Sequence, residues 1–232
     1  MKNLCVIVAF AVFALSTMES IAQDTPVNFD RDSVPATAPK VEGFVPKGWK
    51  IEEQIKGDVN ADGVSDVLVK LIEDKPKKED EFVDRSRVLV IAVADGKGGF
   101  RNAAIADKLL QCTGCGGAFY GVMDAPANVS IEKGVIVVSQ DHGSRWVSEI
   151  SFRFRFDEQP QMFILIGFDY STRDRAEASV VSESINYLTG KRIATNSKGK
   201  MTTTTVAKKR SSIEEVDSEE FESAAAKRLG VD

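Results

Sequence analysis

A single histidine and only three cysteines stand among the 232 residues. So few soft ligands exclude a histidine-rich metal centre and a dense disulfide scaffold. Long apolar runs are also missing: the longest, positions 4–15, falls short of the roughly 20 residues that a membrane-spanning helix needs. Charge of one sign is lacking too. Thirty Lys and Arg against 35 Asp and Glu leave a formal charge of −5, which argues against a general nucleic-acid binder. The chain is too short for a multidomain machine, and its 43% hydrophobic and 28% charged residues suit one folded globular unit.

The apolar run lies at the start. Met1 and Lys2 precede it, and Ser20 and Ala22 supply small side chains after it. A charged start, a short apolar middle and a small-residue end predict a signal peptide over 1–23, cleaved after Ala22 or Gln23. Removal takes away one Lys and one Glu, so the net charge is unchanged. The remaining chain is expected to be exported, periplasmic or secreted, without a transmembrane segment. Pro26, Pro35, Pro39 and Pro46 then punctuate 24–47, where no apolar period is visible, and a disordered linker is expected there.

Beyond residue 48 the pattern changes to short β-branched and aromatic runs broken by Gly, Asn and Asp. Strands are predicted over 67–72, 87–94, 129–131, 135–139, 147–156, 161–168, 180–187, 191–195 and 201–207. The clearest alternation runs from Ile150 to Phe156 and sets aromatics on one face and arginines on the other. Turn residues such as Glu132-Lys133-Gly134 separate consecutive strands, which favours an antiparallel meander. The expected fold is mainly β over 48–210, its antiparallel sheets sandwich-like or partly propeller-like. A C-terminal tail over 211–232 carries a short helix capped by Ser218, whose thin apolar stripe of Phe221, Ala225 and Leu229 predicts weak docking. The charged stretch from Glu73 to Asp84 reads as a solvated loop.

The most specific feature is Gly57-Asp58-Val59-Asn60-Ala61-Asp62-Gly63-Val64-Ser65-Asp66, directly before an apolar strand. Calcium takes six to eight hard oxygens, and alternate oxygen-bearing residues in a tight turn aim at one centre. Asp58, Asn60, Asp62, the Val64 carbonyl and Asp66 are the expected ligands, with Gly63 permitting the reversal. An EF-hand is excluded because its twelfth position, here Val69, would be a bidentate Glu. The loop resembles the calcium loop of the FG-GAP and VCBS repeat families, the hairpin loop of integrin alpha propeller blades, over about twenty residues ending at Leu71. The resemblance implies two strands joined by the loop and calcium held by Asp58, Asn60, Asp62 and Asp66. A second, weaker resemblance spans Cys112-Thr113-Gly114-Cys115-Gly116-Gly117, Asp141 to Trp146, Phe152-Arg153-Phe154 and Ser184 to Lys191. With the aspartate loop, this order is similar to a group of exported bacterial proteins to which no activity is assigned.

Once the signal peptide is gone, Cys112 and Cys115 are the cysteines left, and export favours a disulfide between them. A thioredoxin-like role reads as weaker, because that motif opens a helix in a βαβ unit, and a zinc site weaker still, with only His142 to join the thiolates. Asp141, His142 and Ser144 include the side-chain types of a hydrolase triad, yet triad members come from distant positions. A turn stabilised by Asp and Ser is the plainer account. Arg145 and Trp146, with His142, are a possible binding face, against a core Trp with a solvated Arg. Seven basic residues and no acid lie between Lys191 and Arg210, a stripe that suits an anionic partner or a protected sheet edge. The favoured expectation is a non-enzymatic calcium-binding interaction module, calcium structural, with a glycan or envelope protein as partner. The alternative is a periplasmic hydrolase centred on Asp141, His142 and Ser144.

Overall fold

The computed structural model describes residues 29–75 and 83–231. The expected signal peptide and the middle of the charged stretch after Glu73 lie outside the described residues. The first five strands are β1 (Thr37–Ala38), β2 (Trp49–Gly57), β3 (Asp66–Glu73), β4 (Arg87–Ala94) and β5 (Phe100–Ala106). They form one antiparallel sheet in the order β1-β5-β4-β3-β2. Seven more follow: β6 (Ala127–Glu132), β7 (Val135–Gly143), β8 (Trp146–Asp157), β9 (Met162–Asp174), β10 (Val180–Asn186), β11 (Lys191–Thr195) and β12 (Met201–Thr205). These make an antiparallel meander in which every sequence neighbour is a spatial neighbour. Among the described residues one α-helix, α1 (Ser218–Leu229), follows the strands.

Alternation decides which side chains meet. Ile150, Phe152 and Phe154 of β8 lie on the inner face of the larger sheet, with Ile136 and Val138 of β7 and Phe163, Leu165 and Phe168 of β9. Leu68 of β3 and Leu89, Ile91 and Val93 of β4 face them from the smaller sheet. The two sheets therefore stack over one apolar core, the sandwich-like form of the expected fold, and neither closes into a barrel. A polar latch joins them: Lys70 Nζ donates to the Ala127 carbonyl at 2.9 Å, and Arg87 Nη1 to the Ala125 carbonyl at 2.8 Å. Glu53 at 3.1 Å balances the Lys70 ammonium, and Glu52 at 2.9 Å the Arg87 guanidinium, as buried cations require.

The smaller sheet is apolar on both faces. Val67, Val69 and Leu71 point away from the shared core, as do Val88, Val90 and Ala92. Their cover is the segment from Phe29 to Val45, which includes two 3-10 turns and β1, and which buries Val34, Ala38, Val41 and Phe44. The disordered linker expected over 24–47 is thus corrected for its described part. Prolines there shape a strap rather than a tether, because the outward face of β3 and β4 needs a lid.

Helix α1 docks more firmly than its thin stripe predicts. Phe221 packs edge-on against Phe152 and Phe168, with ring centroids 5.6 and 5.5 Å apart, and Ala225 is fully buried. Its cap lies one residue earlier than expected: Asp217 accepts from the backbone N–H of Glu219 and Glu220. Gly230 ends it in the left-handed region. Among the described residues no helix is long and apolar enough to cross a membrane.

Candidate functional site

Among the described residues the aspartate loop, an end cavity and an outer trough combine polar chemistry with accessible space. The first is the aspartate loop, which joins β2 to β3 as an antiparallel hairpin. Asp58 accepts from Ala61 N at 2.7 Å and from Gly63 N at 2.9 Å. Both donors sit at positive φ, 62° and 84°, which explains a glycine at 63. Asn60 and Asp62 bond each other, and Asp62 accepts from Val64 N at 2.8 Å. Asp66 is turned the other way. It is fully buried and accepts from Val59 N at 3.0 Å and Ala94 N at 2.9 Å, tying the loop to β4. Burial pushes its pKa up, the two N–H bonds pull it down, and Asp62 and Asp58 add a smaller upward push.

The loop's oxygen donors suit calcium in kind. In this conformation they do not converge: among the described residues no three His, Cys, Asp or Glu side chains are grouped to hold a metal ion. Asp58, Asn60 and Asp62 stay on the solvent side with the backbone of Val64, while Asp66 serves the fold instead of closing an oxygen shell.

The second place is a cavity of about 720 Å³ at one end of the inter-sheet space, where α1 meets the disulfide loop. Its wall includes His142, Glu222, Cys112, Cys115, Gln140 and Arg87. Cys112 and Cys115 form the expected disulfide. His142 Nε2 lies 2.8 Å from Oε2 of Glu222. That hydrogen bond raises the His142 pKa against the opposing effect of burial, with help from Asp141 and Glu219.

Strand geometry separates the three candidate triad residues. Neighbours on β7 point to opposite faces, so His142 faces the cavity while Asp141 faces outward and accepts the Tyr120 hydroxyl at 2.8 Å. Burial, together with this bond, pushes Tyr120 up to about 12. Ser144 lies in the β7–β8 turn, its N–H bonded to the Trp146 carbonyl. Arg145 and Trp146 do not join His142 either. Arg145 pairs with buried Asp174 at 2.5 Å and holds that carboxyl down to about 2, while Trp146 is 46% exposed and so is not a core residue. The basic stripe is similarly divided. Arg192 turns inward to Glu183 at 2.7 Å, Arg210 pairs with Asp157, and Lys209 lies over the Phe221 ring.

The third place is a trough of about 560 Å³ on the outer face of the larger sheet. Strand register arranges its lining in two straight rows. One runs Asn128, Ser139, Ser151, Asp169, Ser184 and Ile193, each directly opposite the next across β6 to β11. Beside it run Asp141, Glu149, Ser171, Ser182 and Thr195. Sequence reasoning missed this surface. Its signal was present as Ser and Asp at alternate positions of β7 to β10, but only the pairing register brings them into rows. Glu222, the partner of His142, was also missed, since nothing local links it to a strand 80 residues away.

No protein-family model, curated protein or solved structure matches this chain.

Proposed function

We propose that the protein is an exported, β-rich binding module that takes a neutral glycan on the outer face of its larger sheet, with calcium in the aspartate loop as a structural ion. The observation that carries this reading is the pair of polar rows spanning β6 to β11, hydroxyl, amide and carboxylate groups held on a rigid sheet. Rows spaced by the strand repeat present donors and acceptors to a ligand that itself repeats hydroxyl groups. Asp141 and Glu149 face outward in the same trough, and their negative charge disfavours an anionic glycan, while Asp169 is paired with Arg153 at 2.5 Å. Export is supported by the charged, apolar and small-residue order of the first 23 residues and by the oxidised cysteine pair. Calcium is supported by the oxygen donors on the solvent side of the loop, Asp58, Asn60 and Asp62. The hydrolase alternative loses support, because Asp141 and His142 serve opposite faces of β7.

Calorimetric titration with neutral oligosaccharides of three or more sugars tests the reading. Binding is expected for the native protein and is lost when Ser151→Arg fills the centre of the trough. Equal binding by the variant, or binding only of uronic-acid oligomers, contradicts it.

A further inference from the structure

We propose that Cys112 and Cys115 form an exchangeable dithiol–disulfide couple that reacts with thiols entering the end cavity. The bond is a poor staple. It closes a loop with a sequence separation of only 3, so its constraint on the unfolded chain falls at the low end for disulfides. The segment it bridges is already fixed by bonds that involve neither sulfur. Thr113 N donates to the Arg85 carbonyl at 3.0 Å and Thr113 Oγ1 accepts from Arg85 N at 2.9 Å. Ala125 N reaches the Thr113 carbonyl at 2.8 Å, and Gly114 N reaches Asp84 at 2.9 Å. Gly117, at φ 65°, lies so close to β7 that a Cβ there would stand 2.7 Å from the Gly143 carbonyl oxygen. Opening the disulfide therefore leaves the loop's scaffold in place.

Access supplies the second half of the argument. Both cysteines line the 720 Å³ cavity, and they differ in exposure: Cys115 is exposed and Cys112 is half-buried. Exchange rates depend on which sulfur can be reached. The more exposed residue, Cys115, is assigned as the one attacked and Cys112 as the leaving group.

In the exchange, a partner thiolate attacks Cys115 Sγ, a new S–S bond forms, and the Cys112–Cys115 bond breaks with its electron pair leaving on Cys112 Sγ. Cys112 takes a proton from water. A second thiolate of the same partner then attacks the partner's sulfur in the mixed disulfide and releases Cys115 as thiolate. The partner leaves oxidised to a disulfide and the chain is reduced by two electrons. A low-mass disulfide such as oxidised glutathione reverses the sequence and restores the couple. The chemical class served is a small or peptidyl dithiol.

The test uses the full chain carrying Cys5→Ser, equilibrated in millimolar glutathione buffers and read by alkylation and mass. The expected result is full, reversible reduction with unchanged near-ultraviolet circular dichroism and melting midpoint. In oxidised glutathione, Cys112→Ser is expected to form the mixed disulfide at Cys115 at least about tenfold faster than Cys115→Ser forms it at Cys112. A disulfide that resists reduction until denaturant is added, or whose reduction unfolds the protein, overturns the proposal, and so do equal rates in the two variants. The reduction experiment does not depend on either serine variant folding.

Discussion

His142 on β7 and Glu222 on α1 meet at 2.8 Å across 80 residues of sequence, so the one histidine of the chain holds the C-terminal helix against the larger sheet. The pairing raises the histidine above its ordinary 6.5, with Glu222 as the main cause. A raised folded value means that protonation favours the folded state: the stabilisation is complete below pH 6.5 and disappears as pH rises through the folded value. The melting midpoint is therefore expected to fall across that window in the native protein. In Glu222→Gln the pH dependence over the same window flattens, as a series of thermal melts in matched buffers will record.

The strap over the smaller sheet gives a second prediction. Phe44 is fully buried beneath it, and replacing a buried Phe by Ala costs about 3–5 kcal/mol. Phe44→Ala is expected to lower the urea midpoint by a corresponding amount. A tether without tertiary contacts would leave the midpoint unchanged.

Within the aspartate loop, opposite behaviour is expected of two carboxylates. Asp66→Ala orphans the N–H groups of Val59 and Ala94 and costs about 2–4 kcal/mol in chelator, by equilibrium unfolding. Asp62→Ala, on the solvent side, costs less than about 1 kcal/mol under the same conditions. Millimolar calcium is expected to raise the melting midpoint of the native protein and to leave that of Asp62→Ala unmoved, which calorimetry with calcium and with chelator will read directly.

Docking of α1 rests on a small number of contacts. Phe221 bridges Phe152 and Phe168, so Phe221→Ala is expected to cost about 2–3 kcal/mol and to raise amide exchange throughout α1. Arg228, which pairs with buried Glu183 at the other end of the helix, keeps that end from fraying. Exchange measured along the helix will therefore fall toward Arg228 if its pairing with Glu183 survives the loss of Phe221.

Strands with a clear apolar run or alternation were legible, and those without one were not. β4 and β11 match their predicted bounds because composition marks their ends: β4 is one unbroken aliphatic run after Arg87, and β11 lies between Thr189-Gly190 and the Asn196 turn. β2 was implied by the loop's resemblance but not by periodicity, because a register shift between Ile51 and Glu53 moves Ile51 to the strap side and Ile55 to the shared core, which destroys the alternation a sequence reader looks for. β5 does the same with Phe100 and Ala104 across its own irregularity against β4. The strap was missed for a related reason. Val67 to Ile72 has apolar residues on both faces apart from Lys70, a pattern that demands a second cover, yet the cover itself is rich in Pro and charge. The hairpin turn from Asp58 to Asp66 was legible because its geometry is local, but the inward turn of Asp66 depends on β4, and the trough depends on the exact register of six consecutive strands.

Amide-resolved NMR of the protein titrated with a neutral oligosaccharide tests the binding account most directly. Shift changes concentrated at Ser139, Ser151, Asp169, Ser171, Ser182 and Ser184 are predicted. Changes confined to the cavity beside His142, or none at saturating sugar, would contradict it.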